Sequence, residues 1–260
     1  MSLCAESITV RYGKAVAVEG ASCAIERGEV VGIIGPNGCG KSSLVRAMGA
    51  LLSPASGTVT LDGAPVRALG ARERARRLAV LPQHPVTPPG LTVEDLVRMG
   101  RAPHRPPHAE HVERAMGEAD VLGLRSRHVS SLSGGERQRA WIAMTLAQQT
   151  DHLLLDEPTA SLDVGHAIGV LELVGRLARE RSLGVGVVIH DLNLAARVCT
   201  RLVAMRDGGV IADGPADGVL TAGLVRTLYG VEATVERDPS GRPVCRFDGL
   251  SPGHAPVSGG

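Results

Sequence analysis

The sequence predicts an α/β domain with an all-helical lobe inserted into it. Three observations carry this. A glycine-rich loop, GPNGCGKS at 35–42, joins an apolar strand-like run to a helix-like one. From 151 onward strand and helix patterns alternate, as a parallel sheet requires. Between them, the proline-rich HPVTPPG opens a stretch from Thr92 to Gln149 with apolar residues at helical spacing. The expected division is 1–84 and 151–213 for the core, 85–150 for the lobe and 214–260 for a C-terminal tail.

Taken in order, 3–10 and 15–25 carry β-branched alternation and read as two strands. GEVVGIIG at 28–35 is a short apolar run, as expected of a parallel strand buried on both faces. SSLVRAMGALL is helical and should stop near Ser53-Pro54. GTVTLDGAPV reads as a hairpin around Asp62-Gly63. GARERARR at 70–77 reads as a solvated helix, because Glu73 breaks what would otherwise be a nucleic-acid patch. LAVLPQ at 78–83 is a strand, and the lobe then supplies TVEDLVRMGR, HAEHVERAMGEADVLGL and ERQRAWIAMTLAQQ as helices. HLLLD at 152–156 resumes the sheet, followed by a helix through 171–181, the strand GVGVVIH, a helix from Leu192 and the strand RLVAM. The tail holds a possible hairpin over VEATVERDPSGRPVCRF, and its last ten residues, SPGHAPVSGG, read as disordered.

Composition excludes several classes. Lys plus Arg number 28 against 27 Asp plus Glu, so no net field draws nucleic acid or an anionic membrane. No apolar run approaches the ~18 residues of a membrane span. The start, MSLCAESITVRYG, lacks the pattern of a signal peptide. Five cysteines lie scattered without metal-ligand spacing and read as reduced cytoplasmic thiols. Work at a membrane would therefore go through a partner.

The loop Gly35-Pro36-Asn37-Gly38-Cys39-Gly40-Lys41-Ser42 satisfies G-x-x-x-x-G-K-[ST] between a strand and a helix. In that setting backbone N–H groups surround β- and γ-phosphates at the positive end of a helix dipole. Lys41 would reach the phosphate oxygens, Ser42 would ligate Mg²⁺, and the adjoining Ser43 is counted with the nucleotide site. The chemistry implies a P-loop nucleotide-binding core. Cys39, at a helix start beside Lys41, reads as a thiolate that a maleimide would block, or else as an inert small residue pointing away.

Asp156 closes HLLLD as a metal-holding carboxylate should, and Glu157 beside it can take a proton from an attacking water. Capping the next helix is the plainer role for this pair. His190 and Gln83 also end strands of the same sheet, on the edge where the phosphates must lie; Gln83 could reach the metal or the water. Tyr12, one of four aromatics and the only one before the loop, could stack on a base or be a half-buried core residue. Finally, LSGGERQRA carries Ser133 and Glu136 at capping-box spacing. A capping box does not call for Gly134 and Gly135, which bare backbone N–H groups to a ligand.

Together these motifs resemble the ATP-binding subunits of ABC transporters. GPNGCGKS resembles their Walker A, Gln83 their Q-loop, LLLDEP their Walker B and His190 their switch histidine. Leu132, Ser133, Gly134, Gly135 and Glu136 resemble their signature; Ser161, Leu162 and Asp163 resemble their D-loop; Tyr12 matches their adenine-stacking position. The resemblance implies the ABC ATPase fold, an α/β P-loop NTPase (RecA-like) core with an N-terminal antiparallel β subdomain and an inserted helical lobe, with ATP and Mg²⁺ as cofactors. It implies a homodimer in which each ATP lies between Walker A of one protomer and the signature of the other. A narrower resemblance, in HPVTPPGLTVEDLVRMGRAPH, LDVGH, HDLNLAAR and SGRPVC, points to importer ATPases of the iron–siderophore, haem and cobalamin branch, the tail to ferric-siderophore members. Ala102, Ala160-Ser161 and Glu136 depart from the usual residues of that branch. The implied protein is a peripheral ATPase on the cytoplasmic face of a bacterial membrane, docked beneath two permease subunits, fed indirectly by a substrate-binding protein, and without nucleic acid. Import of haem, cobalamin or a metal ion is the alternative within the family. A soluble ABC ATPase of DNA repair or translation is the alternative outside it, disfavoured by the near-zero charge and the lack of a long coiled-coil insertion. A nucleotide-binding regulator without turnover is disfavoured by the presence of both Glu157 and His190.

Overall fold

Along the chain, β1 (Ser2–Tyr12) and β2 (Ala15–Glu26) pair antiparallel, and β3 (Val30–Ile34) leads through the glycine-rich loop into α1 (Lys41–Met48). β4 (Ser56–Leu61) turns into β5 (Ala64–Pro65), and α2 (Ala71–Arg77) precedes β6 (Leu78–Leu81). Three helices follow, α3 (Val93–Met99), α4 (Ala109–Glu118) and α5 (Gly134–Ala147). Then β7 (His152–Leu155), α6 (Val164–Arg181), β8 (Gly184–Val188), α7 (Leu192–Val198) and β9 (Arg201–Arg206) alternate. β10 (Gly209–Pro215), α8 (Ala216–Val219), α9 (Ala222–Tyr229) and the antiparallel pair β11 (Val231–Arg237) and β12 (Pro243–Leu250) close the chain. This computed structural model describes residues 1–251 apart from positions 87, 107 and 161. Ser161 and residues 252–260 of the expected disordered end therefore lie outside the described residues.

Two sheets organise these elements. One is four-stranded and antiparallel, in the order β2-β1-β4-β5; the other has six strands in the order β10-β9-β3-β8-β7-β6. In the larger sheet β9, β3, β8, β7 and β6 run parallel, and β10 joins antiparallel at the edge. The register sets Leu81 beside Leu155, Leu155 beside Val187, and Ile33 beside Val188. Four strands therefore end along one edge.

The apolar runs are continuous because the sheet is buried on both faces. Its pleat sends alternate residues to opposite sides. Ile33, Leu154 and Val188 join Leu3, Ile8, Ile25, Leu44 and Met48 beneath the antiparallel sheet. Ile34, Leu155 and Val187 join Leu96, Met116, Trp141, Ile142 and Leu171 on the helical side. α3, α4 and α5 thus share one core with the sheet. Arg101, 2% exposed, ties them down by donating to Ala147 O at 2.7 Å and Gln149 Oε1 at 2.9 Å. The tail is docked as well: Asn193 Nδ2 donates to Cys245 O (3.1 Å) and Cys245 N donates back to Asn193 Oδ1 (2.7 Å).

Several local expectations shift. The hairpin at Asp62-Gly63 has φ of 52° and 80°, the two left-handed residues of a type I′ turn. α1 stops at Met48 instead of near Ser53, because Ala50 adopts φ 54° and Leu51 and Leu52 both donate back to Arg46 O. α6 begins seven residues ahead of Leu171, at Val164, where the Asp163 side chain caps it; Gly165 and Gly169 hide that start from a periodicity count. β10 was not expected, since its outward residues at the sheet edge blur the apolar pattern. α2 buries none of its residues, as a solvated helix should.

Candidate functional site

The phosphate loop leaves the central strand β3 through Gly35, at φ 147°, and enters α1 through Gly40, at φ 101°. A Cβ at either would stand 2.2 Å from a carbonyl oxygen, Met205 O or Ala17 O, so only glycine fits. α1 has no side-chain cap, since its N-cap residue is Gly40. Lys41 is 4% exposed and donates from Nζ to Gly35 O and Pro36 O at 2.8 Å each, which fixes the ammonium along the loop. Burial pushes the Lys41 ammonium below the ordinary lysine range, opposed by the Cys39, Glu157 and Asp156 side chains.

Ser42, on the first turn of α1, donates to Asp156 Oδ1 at 2.7 Å. Asp156 follows β7 and is 2% exposed; its Oδ2 is buried without a hydrogen-bond donor, and the Arg46 Nε stands off at 3.9 Å. Burial raises the Asp156 carboxyl above its usual range, against the Ser42 hydrogen bond and the Arg46 charge. A buried carboxylate with one oxygen unspent, beside a serine hydroxyl, fits a hard divalent cation. Arg46 was missed by sequence reasoning, although its place one turn after Ser42 was the available signal.

Glu157 takes φ 52° and thereby turns its side chain from the strand end into the cleft. Its Oε2 accepts from Gln83 Nε2 at 2.5 Å and its Oε1 faces His190 Nε2 at 2.8 Å. Gln83 follows β6 and His190 follows β8, so three strand ends converge on one carboxylate. A cleft of about 400 Å³ contains Asn37, Gly38, Lys41 and Ser42 together with Gln83, Glu157 and His190. Tyr12 is 49% exposed at the end of β1, with its hydroxyl 3.3 Å from Ser43 Oγ. It is not a core residue; its ring lies open beside the loop.

The signature residues do not join this cleft: none of 132–136 lines it. Ser133 caps α5 and the capping box is complete, with Ser133 Oγ accepting from Glu136 N (3.3 Å) and Glu136 Oε2 accepting from Ser133 N (2.8 Å). Those hydrogen bonds hold the Glu136 carboxyl below its usual range. Leu132 is buried. A Cβ on Gly135 would meet His166 Cδ2 at 2.2 Å, so this glycine answers to helix packing whatever else approaches it. His166 is held by Asp163, which accepts from its backbone N (2.8 Å) and from Nδ1 (2.7 Å). His166 was not among the expected site residues; Asp163 three positions earlier, as N-cap, was the signal. Leu162 packs on the helical core.

Burial bears on the two readings of Cys39. Cys39 is 5% exposed, inside the core beneath the antiparallel sheet, and burial pushes its thiol up despite Lys41. The dipole and the lysine are real influences, but desolvation of the thiolate outweighs both. Cys39 packs as a core residue of the loop, which favours the reading of an inert small side chain.

The family follows from comparison with known proteins. The ABC transporter family model matches residues 18–160. This chain belongs to the ABC transporter family. It is 42% identical over 247 residues to the ferric enterobactin transport ATP-binding protein FepC of Escherichia coli (strain K12), covering 92% of this chain and 91% of that one. It is 43% identical over 248 residues to the probable siderophore transport system ATP-binding protein YusV of Bacillus subtilis (strain 168), covering 92% and 90%. A solved dimeric bacterial ABC transporter cassette superposes with a TM-score of 0.75 at 27% identity, over 83% of this chain and 99% of the cassette. As an ABC-family chain it is an ATPase subunit, and its α/β architecture is that of an ABC cassette. Among the described residues no helix is long and apolar enough to cross a membrane.

Proposed function

We propose that this chain hydrolyses ATP to drive uptake of ferric siderophores, as the paired ATPase of a bacterial type II importer on the cytoplasmic face of the membrane. The observation that carries the hydrolytic reading is the Glu157 carboxylate, held between Gln83 and His190 beside the Ser42–Asp156 pair. Likeness to FepC and YusV supports the siderophore cargo, and likeness to a dimeric cassette supports the pairing.

In this reading the backbone of residues 36–43 and Lys41 bind the triphosphate, and the Tyr12 ring stacks on the base. Ser42 and Asp156 would hold Mg²⁺, with Gln83 at its margin. Two protein oxygens are few for a hard cation, which suits one that shares the phosphate oxygens. Bound there, Mg²⁺ would neutralise charge on the phosphates. Glu157 takes the proton of the attacking water: each carboxylate oxygen keeps a lone pair after its bond to Gln83 or His190. His190, 43% exposed at the side chain, is free to contact the transferring phosphoryl group while it orients Glu157. Ser133, Gly134 and Gly135 would serve the ATP of the partner protomer, with the D-loop residues Ser161, Leu162 and Asp163 alongside. Closure on ATP and reopening after hydrolysis would move two permease subunits, supplied by a substrate-binding protein.

Deleting the gene and supplying iron as single ferric siderophores tests the cargo. Growth should fail on one or more of them and persist on ferrous iron. Normal growth on every siderophore with a new requirement for cobalamin or haem would reassign it.

A further inference from the structure

A second cavity, of about 610 Å³, lies away from the phosphate loop, between one face of α6, the middle of α5, the end of α7 and the tip of the tail hairpin. Five arginines line it: Arg139 on α5, Arg176 and Arg179 on α6, Arg197 on α7 and Arg242 before β12. Three carboxylates share the wall, but two are already engaged. Glu118 is taken by Arg114 at 3.0 Å and by Arg181, and Glu172 by Arg197 at 2.5 Å. Among the described residues no carboxylate lies within ion-pair distance of Arg139, Arg179 or Arg242. The Arg139 Nε is buried and has no hydrogen-bond acceptor. A Cβ at Gly169 would meet nothing within 4 Å, so the α6 face is open beside these guanidiniums.

We propose that this cavity binds a small multivalent oxyanion, phosphate or carboxylate in chemistry. Its volume suits a small molecule. Guanidinium forks match both anions bidentately, and three of them here lack an anionic partner among the described residues. No aromatic side chain lines the cavity among the described residues, so charge and hydrogen bonding carry the recognition. Four of the five arginines sit on helices with a common property. α5 starts at Ser133, α6 starts at Asp163, and α7 starts at Asp191, next to His190. An anion gripping all three would fix the signature, the D-loop and the histidine relative to one another, and so alter turnover. That coupling rests on the hydrolytic reading above; the binding does not.

Calorimetry with citrate and with inorganic tripolyphosphate tests the site, using the Lys41→Ala protein to weaken the phosphate loop, with the arginine-dependent binding as the signal that belongs to this cavity. One anion per chain should bind, and Arg179→Gln with Arg242→Gln should weaken it at least tenfold, since each removes a charged hydrogen-bond donor. Both side chains are exposed, so the double variant should keep its fold, and its unchanged melting temperature is the control. Binding of citrate alone assigns a carboxylate ligand, and of tripolyphosphate alone a phosphate ligand. No heat at millimolar anion, or equal affinity in the double variant, overturns the site. With Lys41 intact, saturating citrate should change the ATPase rate of the wild type and not of the double variant. Binding without that change overturns the coupling and leaves the site.

Discussion

Two helices of this protein open toward phosphate chemistry, and they are built differently. α1 begins at Lys41 behind a left-handed glycine, with no side chain capping it. α5 begins behind Ser133 with a complete capping box, so its own Glu136 carboxylate already occupies the dipole end, balanced by Arg127 at 3.5 Å. The first opening, on our reading the anion site, gathers Lys41, Ser42, Asp156 and Glu157 around it within one chain. The second is satisfied from within its own chain and lies outside that cleft. Helix-terminal geometry sets the potential for anion binding; the neighbouring side chains decide whether one protomer completes the site.

The sharpest way to separate the two openings is to stop chemistry at the first without harming binding. Glu157→Gln keeps the shape of the Gln83–His190 bridge but removes the proton acceptor, so steady-state hydrolysis should fall about 10²–10⁴-fold. Nucleotide binding should survive, and size-exclusion in ATP should show a lasting dimer. Turnover at the wild-type rate would remove Glu157 from the role of base. Next in size, Lys41→Ala should weaken ATP binding by about 1.5–3 kcal/mol, the worth of a charge-assisted hydrogen bond. Calorimetry reads this directly, and an unchanged affinity would mean that α1 binds without its lysine.

The second opening should respond in the opposite way. Ser133→Arg should leave ATP affinity of the single chain within about twofold, a change under 0.5 kcal/mol, because no signature residue lines the cleft. In a Glu157→Gln background it should abolish the ATP-dependent dimer. A normal dimer there would show that α5 faces no neighbour's phosphate. Smallest in binding terms is Asp156→Asn. Ionising this buried carboxyl costs free energy, its folded pKa being raised, so stability is full below the unfolded value and is lost as pH rises from there through the folded one. The neutral isostere should therefore melt no lower than wild type at pH 8, while its ATP binding loses its dependence on Mg²⁺. A lower melting temperature with Mg²⁺ dependence intact would contradict both halves.

Much of this was legible in the residues. The phosphate loop, the strand HLLLD and the capping box are short-range patterns, because each depends on the chain within a few residues of itself. Cys39 stayed open between two readings for the same reason: its local field favours a thiolate, but the sheet packed over the loop removes water from it. Gly135 looked bare for a ligand, yet His166, 31 positions on, requires it. The extra strand β10 was missed because edge pairing on β9, not its own pattern, makes it a strand.

The sequence by itself determined the nucleotide loop, the order of strands and helices as far as β9 and the identity of the groups at each strand end. Those follow from backbone preferences and apolar periodicity, which act over a few residues. Only the tertiary structure decided that Gln83 and His190 grip opposite oxygens of Glu157 and that the signature stands outside its own chain's cleft. It also decided that arginines from four separate segments face one cavity. Each of these depends on sheet register and helix packing between distant segments, and burial there sets the charge state of a side chain more strongly than its neighbours in sequence do.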